Sequence, residues 1–425
     1  MKKVFAATLV FSFAASAETL TVEDAVKRAL ENSPQSLAAR ERQAAAEDQT
    51  RAVRGQFLPA LSVADQYDHY NGPFSVSIAT GAPSLTVRDQ NTNTFVAQAK
   101  QPLMGLVKTS QDYMAADANA DANKAGTEAA NKQITEAVET TYLRLFEAKA
   151  AREVAKASQD QLDEQLEVSK ARVKAGAMTN ADVLRVQVAR ANIQQQELQA
   201  SVQESAARTQ LLTLMAMPLD ADVQFSEPVA LEAEAEKPIP ELAEATNQAV
   251  ARRDDLHQQI RLLDSADATA RARLAALLPD VDVVGVYQHI DGQKLAQVDS
   301  YYVGIHASWA FWLWGSQWYA HRSAVHQANA ARLMTSDADR QVRGEVSGRL
   351  DQLRAATSAI DVAKTALASA EEAYRVTSEL VKAGSGTTTD LLDSQSALTQ
   401  SKLNLVRSRY QQAQARVQLR RAMGG

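Results

Sequence analysis

One twelve-residue stretch occurs twice in this chain. Val173-Lys174-Ala175-Gly176-Ala177-Met178-Thr179-Asn180-Ala181-Asp182-Val183-Leu184 returns 208 positions later (173 to 381) as Val381-Lys382-Ala383-Gly384-Ser385-Gly386-Thr387-Thr388-Thr389-Asp390-Leu391-Leu392. Seven of the twelve positions are identical, where average amino-acid usage would give about one. A duplication of this kind constrains the fold before any other property does: the chain is two copies of one unit, and the motif marks the same place in each.

That place reads as the tip of a helical hairpin. Ahead of each motif runs a proline-free stretch rich in Ala, Gln, Glu, Lys and Arg, from about Met104 to Arg172 and from about Trp314 to Leu380. At 1.5 Å per residue each rod reaches ~100 Å. Gly176 and Gly384 suit the left-handed conformation that closes a helix. Thr179 with Asp182, and Thr387 with Asp390, have the spacing of a capping box that starts a return helix. The return helices carry a heptad-like seam: Leu184, Val188, Ala191, Leu198, Val202, Thr209 and Leu212 in one, Leu392, Thr399, Leu403, Val406, Tyr410, Ala413 and Val417 in the other. Coiled-coil packing within and between subunits is the expectation.

Upstream of each rod the layout repeats. Thr21-Val22-Glu23-Asp24 opens a short helix, Ser33-Pro34 restarts one and Leu58-Pro59 ends it; in the second copy Pro240 starts a helix and Leu278-Pro279 ends the next. Strand-like pattern follows each Leu-Pro, over about 61–70, 94–103, 281–290 and 301–311. Each stretch has about the ~10 residues that a tilted strand needs to cross a membrane. In the last, Tyr301, Val303, Ile305, Ala307, Trp309 and Phe311 alternate with Tyr302, Gly304, His306, Ser308 and Ala310, a period of two with one apolar face. All four tryptophans, Trp309, Trp312, Trp314 and Trp318, fall where this strand passes into its rod. Aromatic belts mark membrane–water boundaries, so the lower interface is expected here.

The predicted fold is therefore mainly α with a transmembrane β part: a β-hairpin plus a long antiparallel coiled-coil hairpin, present twice. Residues 18–216 form the first repeat, with its helical hairpin over about 104–216. Residues 240–425 form the second, with its hairpin over about 314–423. Between them 217–239 is acidic, carries Pro218, Pro228 and Pro238, lacks periodicity and reads as a linker.

Lys2 and Lys3, the apolar run Val4 to Phe13 and Ala15-Ser16-Ala17 form a secretory signal, so 1–17 are expected to be cleaved. The chain has no cysteine, which removes disulfides, cysteine zinc sites, thiol catalysis and a cysteine lipid anchor. Past the signal no apolar run approaches the ~20 residues of a spanning helix. The formal charge is -6, against a nucleic-acid partner. There is no G-x-S-x-G and no P-loop. His321 and His326 are five apart, which misses the helical spacing of a metal pair. No catalytic residue, metal site or cofactor is expected.

Four strands cannot close a barrel, since the smallest need about eight and lipid tolerates no open edge. The chain must oligomerise. The signal, the duplication, the two β-hairpins and the paired V-x-A-G-x-x-T-x-x-D-[VL]-L tips resemble the TolC family of outer-membrane efflux proteins, over essentially the whole mature chain. The resemblance implies a homotrimer, with twelve strands in one outer-membrane barrel and twelve helices in a periplasmic tunnel. It implies a passive exit duct in a tripartite efflux or type I secretion system. Its partners would be a periplasmic adaptor and an inner-membrane transporter of the RND, ABC or MFS type.

The resemblance also implies a periplasmic gate at Asp390 and Asp393, three residues apart and so on one helical face. Three symmetry-related carboxylates attract cations and oppose closure unless offset. Asp182 and Asp390 have a capping role as well; Asp393 has none, and Arg185 is its equivalent in the first copy. The tip residues Gly176, Thr179, Asp182, Gly384 and Thr387 are expected at the adaptor. The chain departs from the family pattern at the latch, where Gly386 replaces an arginine and Val381 a tyrosine. A gate held by helix packing and adaptor contact is the expectation. The competing expectation is a soluble periplasmic coiled-coil scaffold, whose strands would form a soluble domain.

Overall fold

A computed structural model describes residues 18–81 and 83–425; the expected signal at 1–17 lies outside the described residues. In the first half, β1 (Glu18–Leu20) leads into α1 (Val22–Asn32) and α2 (Pro34–Gly55). Strands β2 (Ala60–His69), β3 (Phe74–Val76) and β4 (Leu85–Pro102) follow, then helices α3 (Gly105–Lys174) and α4 (Asn180–Leu214). The second half comprises β5 (Val223–Phe225), α5 (Val229–Ala235), α6 (Leu242–Arg252), α7 (Asp254–Ala275), β6 (Asp280–Gln293), β7 (Asp299–Ser308), α8 (Ser316–Lys382) and α9 (Thr388–Ala422). The chain is mainly helical, and α3 and α8 alone run for 70 and 67 residues. It divides into two units. One holds the described residues through Ala39 with Thr127–Asp254 and Arg340–Gly425; the other holds Arg40–Gly126 and Asp255–Asp339.

The first unit is built around Tyr142 of α3. Its ring stacks on Phe146 at 5.4 Å and meets the edge of Phe225 at 5.6 Å. Its hydroxyl donates to Ser226 O at 2.6 Å, with Leu20 O at 3.0 Å. Val138, Leu143, Leu211, Leu212 and Met215 complete this core. Burial of one such side chain stabilises by roughly 1.5–3 kcal/mol.

The segment 217–239, read from sequence as an acidic inter-repeat linker, carries short elements of its own. Strand β5 pairs in parallel with β1, and α5 buries Leu231 and Ala235. Its anchors come from distant helices: Arg208 donates to Ala221 O at 3.1 Å, Arg416 to Pro238 O at 3.3 Å and to Lys237 O, and Arg420 pairs with Glu234 and Glu139. Side chains from elsewhere hold the segment, so it needs no periodicity of its own.

The apolar seam of α4 also differs from expectation. Val186, Ile193, Ala200 and Ala207, seven residues apart, are buried within the chain. Of the predicted seam, Leu212 is buried in the core, while Leu184, Val188, Leu198 and Val202 are exposed in the single chain. Two apolar stripes run along one helix, and periodicity alone does not say which is internal.

The second unit carries the sheet, in the order β2-β4-β6-β7 with every neighbour antiparallel. Its helices pack through small side chains, with Ala46, Ala122, Ala268, Ala324 and Ala328 buried. Strand β4 starts at Leu85, earlier than the predicted 94, because its first residues pair with β3. The polar run Arg88 to Asn93 hides that extension. Strand β7 ends at Ser308 and not at Phe311, because Ser308 pairs with Asp280, the first residue of β6. Pro279 precedes it and has no N–H to offer. Trp309 and Phe311 thus lie past the ladder.

Candidate functional site

Two features stand out, one in each unit. In the sheet, directly opposed residues point to the same side, so the register sorts the side chains. Leu61 and Val63 oppose Ala99 and Ala97, which oppose Gly285 and Tyr287, which oppose Val303 and Tyr301. This face also carries Ile305 and Ala307, opposite Val283 and Val281, and is interrupted by Asp65. Its apolar side chains are open; Val303 is 80% exposed and Ile305 74%. The other face carries Ser62, Gln66, Gln98, Lys100, Asp282, Gln288 and His306, interleaved with Ala64, Val96, Val284, Val286 and Tyr302. There the Lys100 Nζ lies 2.8 Å from Asp282, whose side chain is almost buried. A largely apolar face backed by a more polar one is the pattern of a strand wall between lipid and water.

Aromatic side chains bound the apolar face. Tyr67, Phe95, Tyr287 and Tyr301 form a band across four strands, with the Phe95 and Tyr287 rings edge to face at 6.5 Å. Sequence reasoning missed this band, because only the register shows that its members follow one another diagonally across one face. Beyond the opposite end of β7 come the tryptophans. Trp309 Nε1 donates to Leu277 O at 3.2 Å, Trp312 and Trp314 meet edge to face at 5.8 Å, and Trp318 lies 5.8 Å from the His321 ring. Trp314 and Gly315 both adopt positive φ, at 52° and 77°, and turn the chain into α8. Among the described residues no helix is long and apolar enough to cross a membrane.

The hairpin tips lie in the first unit. Gly176 and Gly384 take φ of 72° and 79°, the left-handed geometry that a glycine adopts without strain. Past them the chain bonds back onto its rod, Ala177 N to Arg172 O at 2.9 Å and Ser385 N to Leu380 O at 3.0 Å. Each return helix then starts with a complete capping box. Thr179 and Thr387 share one backbone geometry, φ -95° and ψ 156°. Thr179 Oγ1 donates to Asp182 Oδ2 at 2.6 Å, and Thr387 Oγ1 to Asp390 Oδ2 at 2.6 Å. The hydrogen bonds from Thr179 hold the Asp182 carboxyl below its ordinary range, with a smaller contribution from Arg185.

Asp393 makes no ion pair among the described residues and is exposed. It lines a cavity of about 800 Å³ between α4 and α9, together with Leu392, Ser396, Leu184, Arg185 and Val188. The walls are fixed on α3. Gln395 donates to Gln161 at 3.1 Å, Ser158 and Thr399 share a bond of 3.0 Å, and Arg190 of α4 pairs with Asp163. Gly386 has a steric reason to be glycine. A Cβ there would lie 2.9 Å from Val381 Cγ2 and 3.0 Å from Val381 N, so this turn admits no side chain at the position where the family pattern has its arginine.

A search of curated protein sequences finds no match to this chain. Among solved structures, the fold is similar to that of the outer membrane protein VceC of Vibrio cholerae, with a TM-score of 0.82, 17% identity, and 95% of this chain and 96% of that one covered. The CmeC outer membrane channel of Campylobacter jejuni gives 0.80 and 16%, with 95% and 85% covered. The open state of the MtrE outer membrane channel of Neisseria gonorrhoeae gives 0.77 and 18%, with 95% and 89% covered. At such identities the likeness is one of fold. The family model for outer membrane efflux proteins matches residues 25–216 and 245–425, one segment on each copy of the duplicated unit, and the chain belongs to the outer membrane efflux protein family.

Proposed function

We propose that this protein is the outer-membrane exit duct of a tripartite efflux or type I secretion system, working as a homotrimer. It conducts substrate passively and performs no chemistry of its own. The observation that carries this reading is the two-faced sheet with its open edges β2 and β7. Lipid leaves no backbone group unsatisfied, so each β7 needs the β2 of another copy. Three copies supply twelve strands, with Leu61, Val63, Val303 and Ile305 turned to lipid and Gln98, Lys100 and Asp282 to the lumen. The exposed Leu198 and Val202 of α4 support the same reading, as part of a seam for a neighbouring copy.

In this reading the tyrosine band and the tryptophans Trp309, Trp312, Trp314 and Trp318 sit at the two membrane interfaces. Asp390 and Asp393 face the gate, and the tips at Gly176, Thr179, Asp182, Gly384 and Thr387 meet a periplasmic adaptor, itself coupled to an inner-membrane transporter. A soluble scaffold would instead leave the whole apolar face of the sheet in water, an exposure that monomeric soluble proteins avoid.

The absence of cysteine makes the test direct. Ser62→Cys is combined in turn with Tyr302→Cys, Gly304→Cys, Val303→Cys and Ile305→Cys. Within a chain β2 and β7 are the two outer strands and cannot be linked. Closure between copies predicts disulfide-linked dimers and trimers in the outer-membrane fraction. Cross-linking should favour partners on the Ser62 face, Tyr302 or Gly304, over Val303 and Ile305. Recovery as an unlinked, soluble periplasmic protein overturns the proposal.

A further inference from the structure

The two tips carry one motif but take opposite charges at the position that follows it, Arg185 on α4 and Asp393 on α9. Each follows its capping aspartate by three residues, one helical turn on. Both side chains line the same cavity, from opposite walls. Asp393 has no ion-pair partner among the described residues, while Arg185 lies 3.2 Å from Asp182 Oδ1. That contact is a solvent-exposed pair on one helix, of a type worth under about 1 kcal/mol. Asp182 meanwhile is held on its other oxygen by Thr179. Arg185 is therefore free to change partner at little cost.

We infer that Arg185 is the counter-charge of Asp393, and that closure of the tip cavity brings the guanidinium onto the carboxylate to hold α4 against α9. This rests on the reading that Asp393 belongs to the gate. Carboxylates gathered around one axis repel, and each guanidinium delivered to one of them removes a negative charge where the repulsion is greatest. Arginine suits the role because it stays protonated and bonds a carboxylate through two N–H groups. The pair takes over a function that the usual latch positions cannot perform here. Val381 has no polar atom, and the turn at Gly386 has no room for a side chain. Closure by helix packing and adaptor contact, which the sequence suggests, then gains a specific electrostatic component.

The test is a charge swap measured as conductance of the purified oligomer in planar bilayers. Arg185→Glu and Asp393→Arg should each raise the resting conductance several-fold, because each places two like charges across the cavity. The double variant Arg185→Glu/Asp393→Arg should return it towards the starting value, a rescue that a merely structural role does not produce. Formation of the β2–β7 cross-link verifies that each variant is assembled. A double variant as leaky as the singles overturns the pairing. If Asp393→Arg alone changes conductance and cation preference while Arg185→Glu changes nothing, the pairing fails and the gate reading stands. If neither Asp393→Arg nor Asp393→Asn alters conductance or ion preference, the gate reading fails with it.

Discussion

Glu139 is buried on α3, and burial pushes its carboxyl up to about 6. The charge of Arg420 pulls it back, while Glu234 and, to a lesser extent, Glu23 add to the rise. The proton is therefore held more tightly in the folded chain than in an unfolded one, where the ordinary value is 4.5. Ionising Glu139 thus costs stability as pH rises from about 4.5 to about 6, and above that window the cost is complete, on the order of 2 kcal/mol. Acidification from pH 7.5 to 5.5 should recover part of it. A thermal midpoint followed over that range should contain a component that rises on acidification and is missing in Glu139→Gln. An identical pH profile for the two proteins would refute the assignment. The same cluster marks the limit of what sequence reasoning reaches. Thr179 with Asp182 and Thr387 with Asp390 are legible as caps because both partners lie within four residues. Arg420 meets Glu139 and Glu234 across 281 and 186 residues, and no local pattern reports such a meeting.

Among the elements, the rods and their tips are the most legible, since glycine, threonine and the lack of proline act locally. The strands are legible where alternation is clean, as in β7, and blurred where polar residues continue a ladder, as in β4. The segment 217–239 is opaque because its anchors are borrowed from α3, α4 and α9. The stripes of α4 are visible but ambiguous, and here the structure makes a distinction that can be measured. Ile193→Glu puts a charge into the buried stripe and should destabilise the folded chain by several kcal/mol. Leu198→Glu, on the outward stripe, should leave the hairpin folded but weaken association of copies. Circular dichroism with chemical cross-linking separates the two; equal loss of helix in both variants would show the outward stripe to be structural within one chain.

For the whole molecule, the edges of the sheet decide what kind of object it is. Strands β2 and β7 present rows of N–H and C=O groups with no partner strand on their outer side among the described residues. In the proposed trimer a single copy in the membrane would expose them to hydrocarbon, so insertion and assembly would be one event rather than two. Any damage to an edge is then shared. A proline at Val303 takes an N–H out of the edge strand β7 and spoils every ring that takes up the altered copy, even when the other members are sound. Producing Val303→Pro beside the normal chain should lower transport by more than its share of the total protein. A loss merely proportional to that share would mean that defective copies are screened out before they join. In the proposed ring, vulnerability therefore scales with the number of joints and not with the number of chains made, which would give the cell a reason to remove faulty subunits early.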